Sequence, residues 1–486
     1  MTIVIRDYEA VIGLEVHAEL MTKSKMFCGC SAAYHGAEPN TQVCPVCFGM
    51  PGSLPVINER AVEFTVRTAL ALNCEIAKFA KFDRKNYHYP DLPKGYQISQ
   101  YDMPISRNGW LEIEVDGQIR RIGVRRVHLE EDTAKLTHVD GYSLVDFNRS
   151  GVPLIEIVSE PDIHTPEEAR EYATRIRQIL RWIEVSTGDM EAGALRIEPN
   201  ISVRPKGSDV LGTRTEIKNL NSIRAVAQSL EYEIRRQIDI LESGGTVVQQ
   251  TLGWDDARGI TVPQRSKEYA EDYRYFPEPD LPPLVLTPAW VQQIRESLPE
   301  LPAERRRRYM EEFGLSAYDA GVLTANRATG AYFEEAASAY DGDPKIVANW
   351  VTGELFRVLN ETGTPIEESP IKPTALVELL KIVDAGVISA SKARDVFQAM
   401  IETGKGAKEI VEERGLQQIS DEEKLLSIID SVLKENQQAV EDYLGGKETA
   451  ITFLIGQVMR ATRGQANPGM VRPLLEKRLA ALESSH

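Results

Sequence analysis

The 486-residue sequence has no apolar run approaching the roughly 20 residues of a membrane-spanning helix, although 42% of it is hydrophobic. It opens M-T-I-V-I-R-D-Y-E, without the basic stretch and long apolar core of a secretory signal, so the expected compartment is the cytoplasm. There is no G-x-x-x-x-G-K-[ST] phosphate loop and no strand-linked G-x-G-x-x-G turn. H-E-x-x-H and G-x-S-x-G are missing too, which excludes a zincin and leaves no nucleophile elbow. Any nucleotide must therefore sit in an unusual pocket. Positive charge is also short, with 56 Lys and Arg against 73 Asp and Glu and a net charge of −17. That balance argues against a general nucleic-acid coat protein.

Cysteine is scarce, five in all, yet four fall close together as Cys28-Gly-Cys30 and Cys44-Pro-Val-Cys47. In a cytosolic chain such pairs read as a four-thiolate zinc knuckle over 28–47 rather than as disulfides. Four thiolates leave no open coordination position, so the expected role is structural. Cys74 reads as a small buried apolar residue.

The stretch Val11–Leu20 reads V-I-G-L-E-V-H-A-E-L. With a strand's period of two, Ile12, Leu14, Val16, Ala18 and Leu20 share one face, and Glu15, His17 and Glu19 share the other. The polar face is either a solvated one or a cation site, since adjacent carboxylates repel unless something positive lies between them. Three acids, Glu130-Glu131-Asp132, end another predicted strand, and Glu156 sits among four aliphatic residues. With Glu15 and His17 these acids make a hard-metal constellation drawn from separate strands. Between them, Lys78–Asp102 interleaves Lys78, Lys81, Arg84, Lys85 and Lys94 with Tyr87, Tyr89, Tyr96 and Tyr101. Cations beside aromatics suit a phosphate carrying a base or sugar.

At this length two or three domains are expected. Strands dominate to about Asp280 with a few long helices, which is α+β, because strands and helices do not alternate regularly. Asp116-Gly117 marks a hairpin, Thr165-Pro-Glu-Glu168 a capping box, and Asn221 a helix cap. The proline-dense segment 277–283 reads as the domain boundary. Domains are thus expected at 1–283, 284–405 and 406–486, the last two wholly helical. Ser420-Asp-Glu-Glu423 is a second capping box, and Pro468 opens the last helix. Acids outnumber bases eleven to four between Glu409 and Glu448, whereas Arg460, Arg463, Arg472, Lys477 and Arg478 make the end basic. Such asymmetry marks a local contact with a polyanion.

Seven stretches carry a resemblance: V-I-G-L-E-V-H at 11–17, K-F-D-R-K-N-Y at 81–87, G-Y-Q-I-S-Q-Y-D at 95–102, H-L-E-E-D at 128–132, P-L-I-E-I-V-S-E-P-D at 153–162, D-Y-R-Y-F-P-E-P-D at 272–280 and G-Q-A-N-P at 464–468. In order and over essentially the full chain, the sequence resembles the B subunit of aspartyl/glutamyl-tRNA amidotransferases. The resemblance implies a cradle-like catalytic domain, a helical domain and a YqeY-like tail that contacts tRNA. It implies ATP-dependent phosphorylation of the side-chain carboxylate of glutamate or aspartate misacylated onto tRNA(Gln) or tRNA(Asn). Ammonia from a glutaminase A subunit then displaces the phosphate, and a small C subunit completes the heterotrimer. The expected catalytic set is Glu15, His17, Glu130, Glu131 and Glu156. Glu15, His17, Glu131 and Glu156 are the expected Mg²⁺ ligands, with Glu130 the alternative to Glu131. Lys81, Arg84, Lys85, Asn86 and Tyr87 would hold the nucleotide, and Arg460 and Arg463 the tRNA. Two rivals are a ligase for a free small carboxylate, which leaves the basic tail without purpose, and a zinc-stabilised RNA scaffold, which needs no buried Glu156.

Overall fold

The computed structural model describes residues 7–266, 273–417, 421–462 and 465–483. Contacts divide the chain into two compact units, Met1–Pro302 and Ala303–His486.

The first unit is built on a nine-stranded sheet. From one edge to the other its strands are Ile260–Ser266, Gln250–Asp255, Thr215–Lys218, Leu195–Pro205, Tyr8–Glu19, Pro153–Ser159, Gln118–Glu131, Ser106–Val115 and Glu75–Ile76. The opening strand Tyr8–Glu19 is therefore the middle one. Neighbours are antiparallel except Thr215–Lys218 and Gln250–Asp255, which are parallel. Helix Ile223–Glu242 lies between that pair in sequence and supplies the crossover a parallel connection needs. Asp116 and Gly117 both have positive φ (52° and 73°), as a two-residue hairpin turn demands.

The period-two reading of the opening strand sets which face is covered. Ile12, Leu14, Val16 and Ala18 are 0–1% exposed and join the core formed with helices Glu59–Ala71, Pro166–Trp182 and Ile223–Glu242. Burying each of the three larger chains contributes on the order of 2 kcal/mol. Thr165 caps its helix by accepting from Glu168 N, while the Glu168 carboxylate reaches back to His164 N at 2.8 Å rather than to the cap residue. The helix expected to start on Asn221 is capped instead by Ser222, whose hydroxyl accepts from Ala225 N.

A three-stranded ribbon stands beside the main sheet, with Asp83–Asn86 between Phe276–Pro277 and Tyr96–Ser99. The proline-dense segment is part of this unit, not a linker. Phe276–Pro277 pairs with Asp83–Arg84, and Leu284–Val285 pairs with Phe79–Ala80. Beyond it, Trp290, Ile294 and Leu301 pack on the same core, and Trp182 Nε1 donates to Glu300 O at 2.8 Å. The boundary thus falls later than 283.

The second unit is helical and has two cores. Residues from Tyr309 to Val411 form one, and residues from Leu425 to Leu479 form the other. Ala407, Ile410 and Val411 seal the first core, so residues 406–411 belong with it rather than with the tail. Asp421 caps helix Glu422–Glu435, Ser420 lies outside the described residues, and Pro468 opens the last helix, Pro468–Glu483. Among the described residues no helix is long and apolar enough to cross a membrane.

Candidate active site

The polar face of the sheet carries titratable groups in register. His128, Glu156, His17 and Arg196 lie opposite one another on four adjacent strands. One step along, Glu15 faces Glu198, and Asn200 faces Glu216. Above them is a cavity of about 500 Å³, closed on one side by Lys85, Tyr87, Tyr273 and Tyr275.

Two acidic clusters occupy the floor. In the first, His17 Nε2 lies 3.4 Å from Glu156 Oε2 and 3.8 Å from Glu130 Oε1. His128 Nε2 approaches the same acids at 3.4 and 3.7 Å. One donor atom from each of His17, Glu130 and Glu156 lies within 4.8 Å of the others, a set suited to a hard divalent cation. The buried Nδ1 atoms of both histidines lack a hydrogen-bond partner. In the second cluster the carboxylates of Glu15, Glu198 and Glu216 converge equally closely. Asn200 donates to Glu15 at 3.0 Å, and Lys218 reaches Glu198 at 2.8 Å and Glu216 at 3.4 Å.

Burial sets the electrostatics and the neighbours then reverse it. Burial pushes the His17 imidazole down, but its hydrogen bond to Glu156 and the charges of Glu156, Glu198 and Glu130 lift it to about 9. Burial would raise Glu156, but His128, His17 and Lys85 hold it well below the carboxylate range. Glu130 is likewise lowered against its burial, chiefly by its hydrogen bond to His128. Glu15 goes the other way, raised by burial and by the charge of Glu156. Lys85 is raised despite burial, by Glu130 and Glu156. Its Nζ stands 4.7 Å from the Tyr273 ring centroid and 5.9 Å from that of Tyr87.

Strand alternation divides the expected nucleotide residues. Lys85 and Tyr87 line the cavity, whereas Arg84 and Asn86 point to the other side. Arg84 makes a two-pronged pair with Glu278 at 2.7 and 2.8 Å and reaches Asp280 at 3.1 Å. Asn86 donates to the carbonyls of Tyr273 and Arg274, holding the chain that carries the tyrosine wall. Lys81 is engaged by Asp83 and Asp102 outside the cavity. Alternation also parts Glu131 from Glu130. Lys94 Nζ and Ile98 N both donate to Glu131 Oε1, at 2.6 and 3.0 Å, so this carboxylate is absent from the cation cluster and faces a cavity beside the knuckle.

The sequence reading missed His128, Arg149, Arg196, Glu198, Glu216 and Lys218, all on the cavity wall. The signal was available for several. Arg196, Glu198 and Asn200 alternate with Leu195, Ile197 and Ile201, and Glu216 and Lys218 flank Ile217, the same pattern that marked the opening strand.

The four knuckle sulfurs lie within 4.8 Å of one another, with Cys44 and Cys47 3.9 Å apart. Tetrahedral zinc with 2.3 Å bonds requires sulfur separations of about 3.8 Å, so the donor set fits. Cys47 is lowered as a thiol, first by the hydrogen bond from Cys28, and the charge of Lys25 assists. Lys25 is fully buried and donates to Cys47 Sγ, Gln42 O and Phe147 O. In the tail, Arg460 is exposed on the last turn of helix Thr449–Ala461, and Arg463 lies outside the described residues.

Residues 10–292 match the GatB/GatE catalytic domain, and residues 331–479 match the GatB domain. The unit that carries the nine-stranded sheet and its acid–imidazole row is thus matched as a GatB/GatE catalytic domain. A protein of Thermoanaerobacter sp. named as the B subunit of an aspartyl/glutamyl-tRNA(Asn/Gln) amidotransferase is 58% identical over 475 residues, covering 97% of this chain and 99% of that relative. Relatives of the same name from Moorella thermoacetica and Carboxydothermus hydrogenoformans are 57% and 55% identical over 97% and 98% of this chain, and all of each relative is covered. The chain belongs to the family of aspartyl/glutamyl-tRNA(Asn/Gln) amidotransferase B subunits.

Proposed function

We propose that this cavity activates the side-chain carboxylate of glutamate or aspartate esterified to tRNA(Gln) or tRNA(Asn), using ATP, and passes it to ammonia. The observation that carries the reading is the pairing of two acidic clusters with Lys85, Arg196 and Lys218 in one cavity. A carboxylate is a poor acyl donor, and phosphorylation gives it a leaving group. The substrate carboxylate oxygen bonds to the γ-phosphorus as the bond to ADP breaks. Ammonia then forms the amide, phosphate leaves, and the surplus proton passes to solvent.

His17, Glu130 and Glu156 are the residues suited to Mg²⁺, with Glu15, Glu198 and Glu216 offering a second position. A cation held there would supply positive charge to offset what develops on the phosphoryl group in transfer. Lys85, on the tyrosine wall, and Arg196, beside His17, provide fixed positive charge for the phosphoryl oxygens. Tyr87, Tyr273 and Tyr275 offer faces for a base. Among the described residues, none lining the cavity is a cysteine. Nitrogen would come from glutamine on an A subunit, within a heterotrimer that includes a C subunit. Zinc in the knuckle is structural, and the basic end of the tail, Arg460 included, contacts tRNA phosphates.

The test is phosphate release and amide formation by the reconstituted complex, on misacylated tRNA and on free glutamate or aspartate, with ammonia supplied. Amide formed on tRNA with ATP consumption supports the reading. Amidation of the free amino acid, or none at all, refutes it.

A further inference from the structure

The cations that line the cavity are not alike. Arg149 and Arg196 are tied to Asp132, and Lys218 to Glu198 and Glu216. Lys85 lies against the rings of Tyr87 and Tyr273, and Arg214 is exposed, where water serves it. Arg126 is half-buried in the wall, and among the described residues it pairs with no carboxylate. Its one hydrogen bond there, from Nη1 to Tyr101 O, is long at 3.4 Å, and its buried Nε has no acceptor. A guanidinium stays charged, and a buried donor without an acceptor is costly.

Strand alternation puts Arg126 in this place. In Gln118–Glu131, Val127 and Leu129 are fully buried in the core, and Arg126, His128 and Glu130 take the opposite face. Arg126 lies opposite Val158, and Val158 opposite Glu15, one row along from His128, Glu156 and His17. Two residues of strand set these rows about 7 Å apart. Arg196 ends the second row, three strand spacings or about 14 Å across the sheet. In-line transfer needs the attacking and leaving oxygens on opposite sides of the phosphorus, and cations at two separate posts serve the two sides. Lys85 and Arg196 answer the phosphates. The attacking group is a planar carboxylate, which a guanidinium edge matches with two parallel N–H bonds. Tyr101 takes only Nη1 of Arg126, so the Nε–Nη2 edge is left for it.

We propose that Arg126 receives the side-chain carboxylate of the aminoacyl group and holds it for attack on the γ-phosphorus, and so selects an acidic side chain over its amide. This rests on the cavity being the phosphoryl-transfer site. The amide product carries no charge and offers one acceptor where the carboxylate offered two, so the edge that holds the substrate lets the product go.

The test uses the complete complex, with ammonia supplied so that glutamine hydrolysis does not enter. In Arg126→Gln, kcat/KM for misacylated tRNA should fall about 10²-fold, and KM for ATP should hold. The signature is discrimination. Without ATP, the wild type should bind Glu-tRNA(Gln) about tenfold more tightly than Gln-tRNA(Gln), or Asp-tRNA(Asn) than Asn-tRNA(Asn), and the variant should bind both alike. Arg126→Lys keeps the charge but not the two-pronged edge. It should lose about tenfold by the same route, and it decides the question if Arg126→Gln does not fold. A rise in KM for ATP with discrimination retained would mean that the edge holds phosphate, and would overturn the proposal. A lower melting temperature with unchanged kinetics and discrimination would overturn it too. A wild-type complex that never amidates tRNA refutes the transfer reading itself, whereas an active wild type whose variants still prefer the acidic aminoacyl group refutes only the role of Arg126.

Discussion

His17 makes the proposed cation site a proton-linked one, and this can be counted. With the imidazole held at about 9, about 99% of it is protonated at pH 7. A cation that takes an imidazole nitrogen must displace that proton, because only the neutral ring ligates. Glu156 and Glu130 are lowered and already ionised, so the released proton comes from His17. Displacement at pH 7 costs about 2.7 kcal/mol, which weakens binding about 100-fold relative to a neutral ring. Mg²⁺ or Mn²⁺ affinity should therefore rise about tenfold per pH unit from about 7 toward 9, then level off. Calorimetric titration in two buffers of different ionisation enthalpy should report about one proton released per cation at pH 7.5. His17→Ala should release none and bind with little pH dependence. The same shift has a stability consequence. A group raised in the folded state from 6.5 to about 9 stabilises it fully below pH 6.5. That contribution, roughly 3 kcal/mol, is lost as pH climbs through 9. Cation affinity that is flat from pH 7 to 9, with no proton released, would refute the assignment of His17 as a ligand.

Glu15→Gln and His17→Ala should each lower ammonia-dependent amidation on the order of 10²-fold or more, because charge stabilisation at a phosphoryl group contributes several kcal/mol; glutamine hydrolysis by the partner, assayed separately, should survive. Arg84→Ala leaves Glu278, which is 3% exposed, without its two-pronged partner, so thermal unfolding should report a loss of about 3–5 kcal/mol. Metal analysis of protein purified without chelator should find about one zinc per chain, absent in Cys44→Ser. Deleting residues from 421 onward should abolish tRNA-dependent turnover while leaving Mg²⁺ binding to the first unit intact, and tRNA affinity should weaken with salt less steeply in Arg460→Ala.

Much of the site was legible because the opening strand states its two faces outright. Glu15 and His17 alternate with four buried aliphatic residues, and Glu156 stands out within an apolar run. Alternation also governs what misled. Glu130 and Glu131 are adjacent in sequence, so one must face the cavity and the other must turn from it, and a string of acids does not say which. The same holds for Arg84 and Lys85. Composition marks both as cations, but only pairing with Glu278 tells that Arg84 is already taken. Glu198 and Glu216 reach Glu15 through strand order, a property of the whole sheet that no local window contains. The prolines of 277–283 suggested a linker, yet proline at a sheet edge is equally at home, and here Pro277 sits in the edge strand Phe276–Pro277 while Pro279, Pro282 and Pro283 lie between it and the strand Leu284–Val285.

The middle place of the opening strand bears on how the protein is made. Its partners are Pro153–Ser159 and Leu195–Pro205, so this strand waits for residues synthesised far later. At about 5–20 residues per second, the interval before Pro205 is made is on the order of 10–40 s. Until Pro153–Ser159 is made, Ile12, Leu14 and Val16 have no sheet to join, and after that one edge of the strand stays open until Leu195–Pro205 is made. The acid–imidazole row across those strands is equally late, coming into being only when the chain closes on its own beginning. Nascent chains halted before residue 195 should accordingly bind chaperone and resist refolding, and those released after the strand Leu195–Pro205 should not.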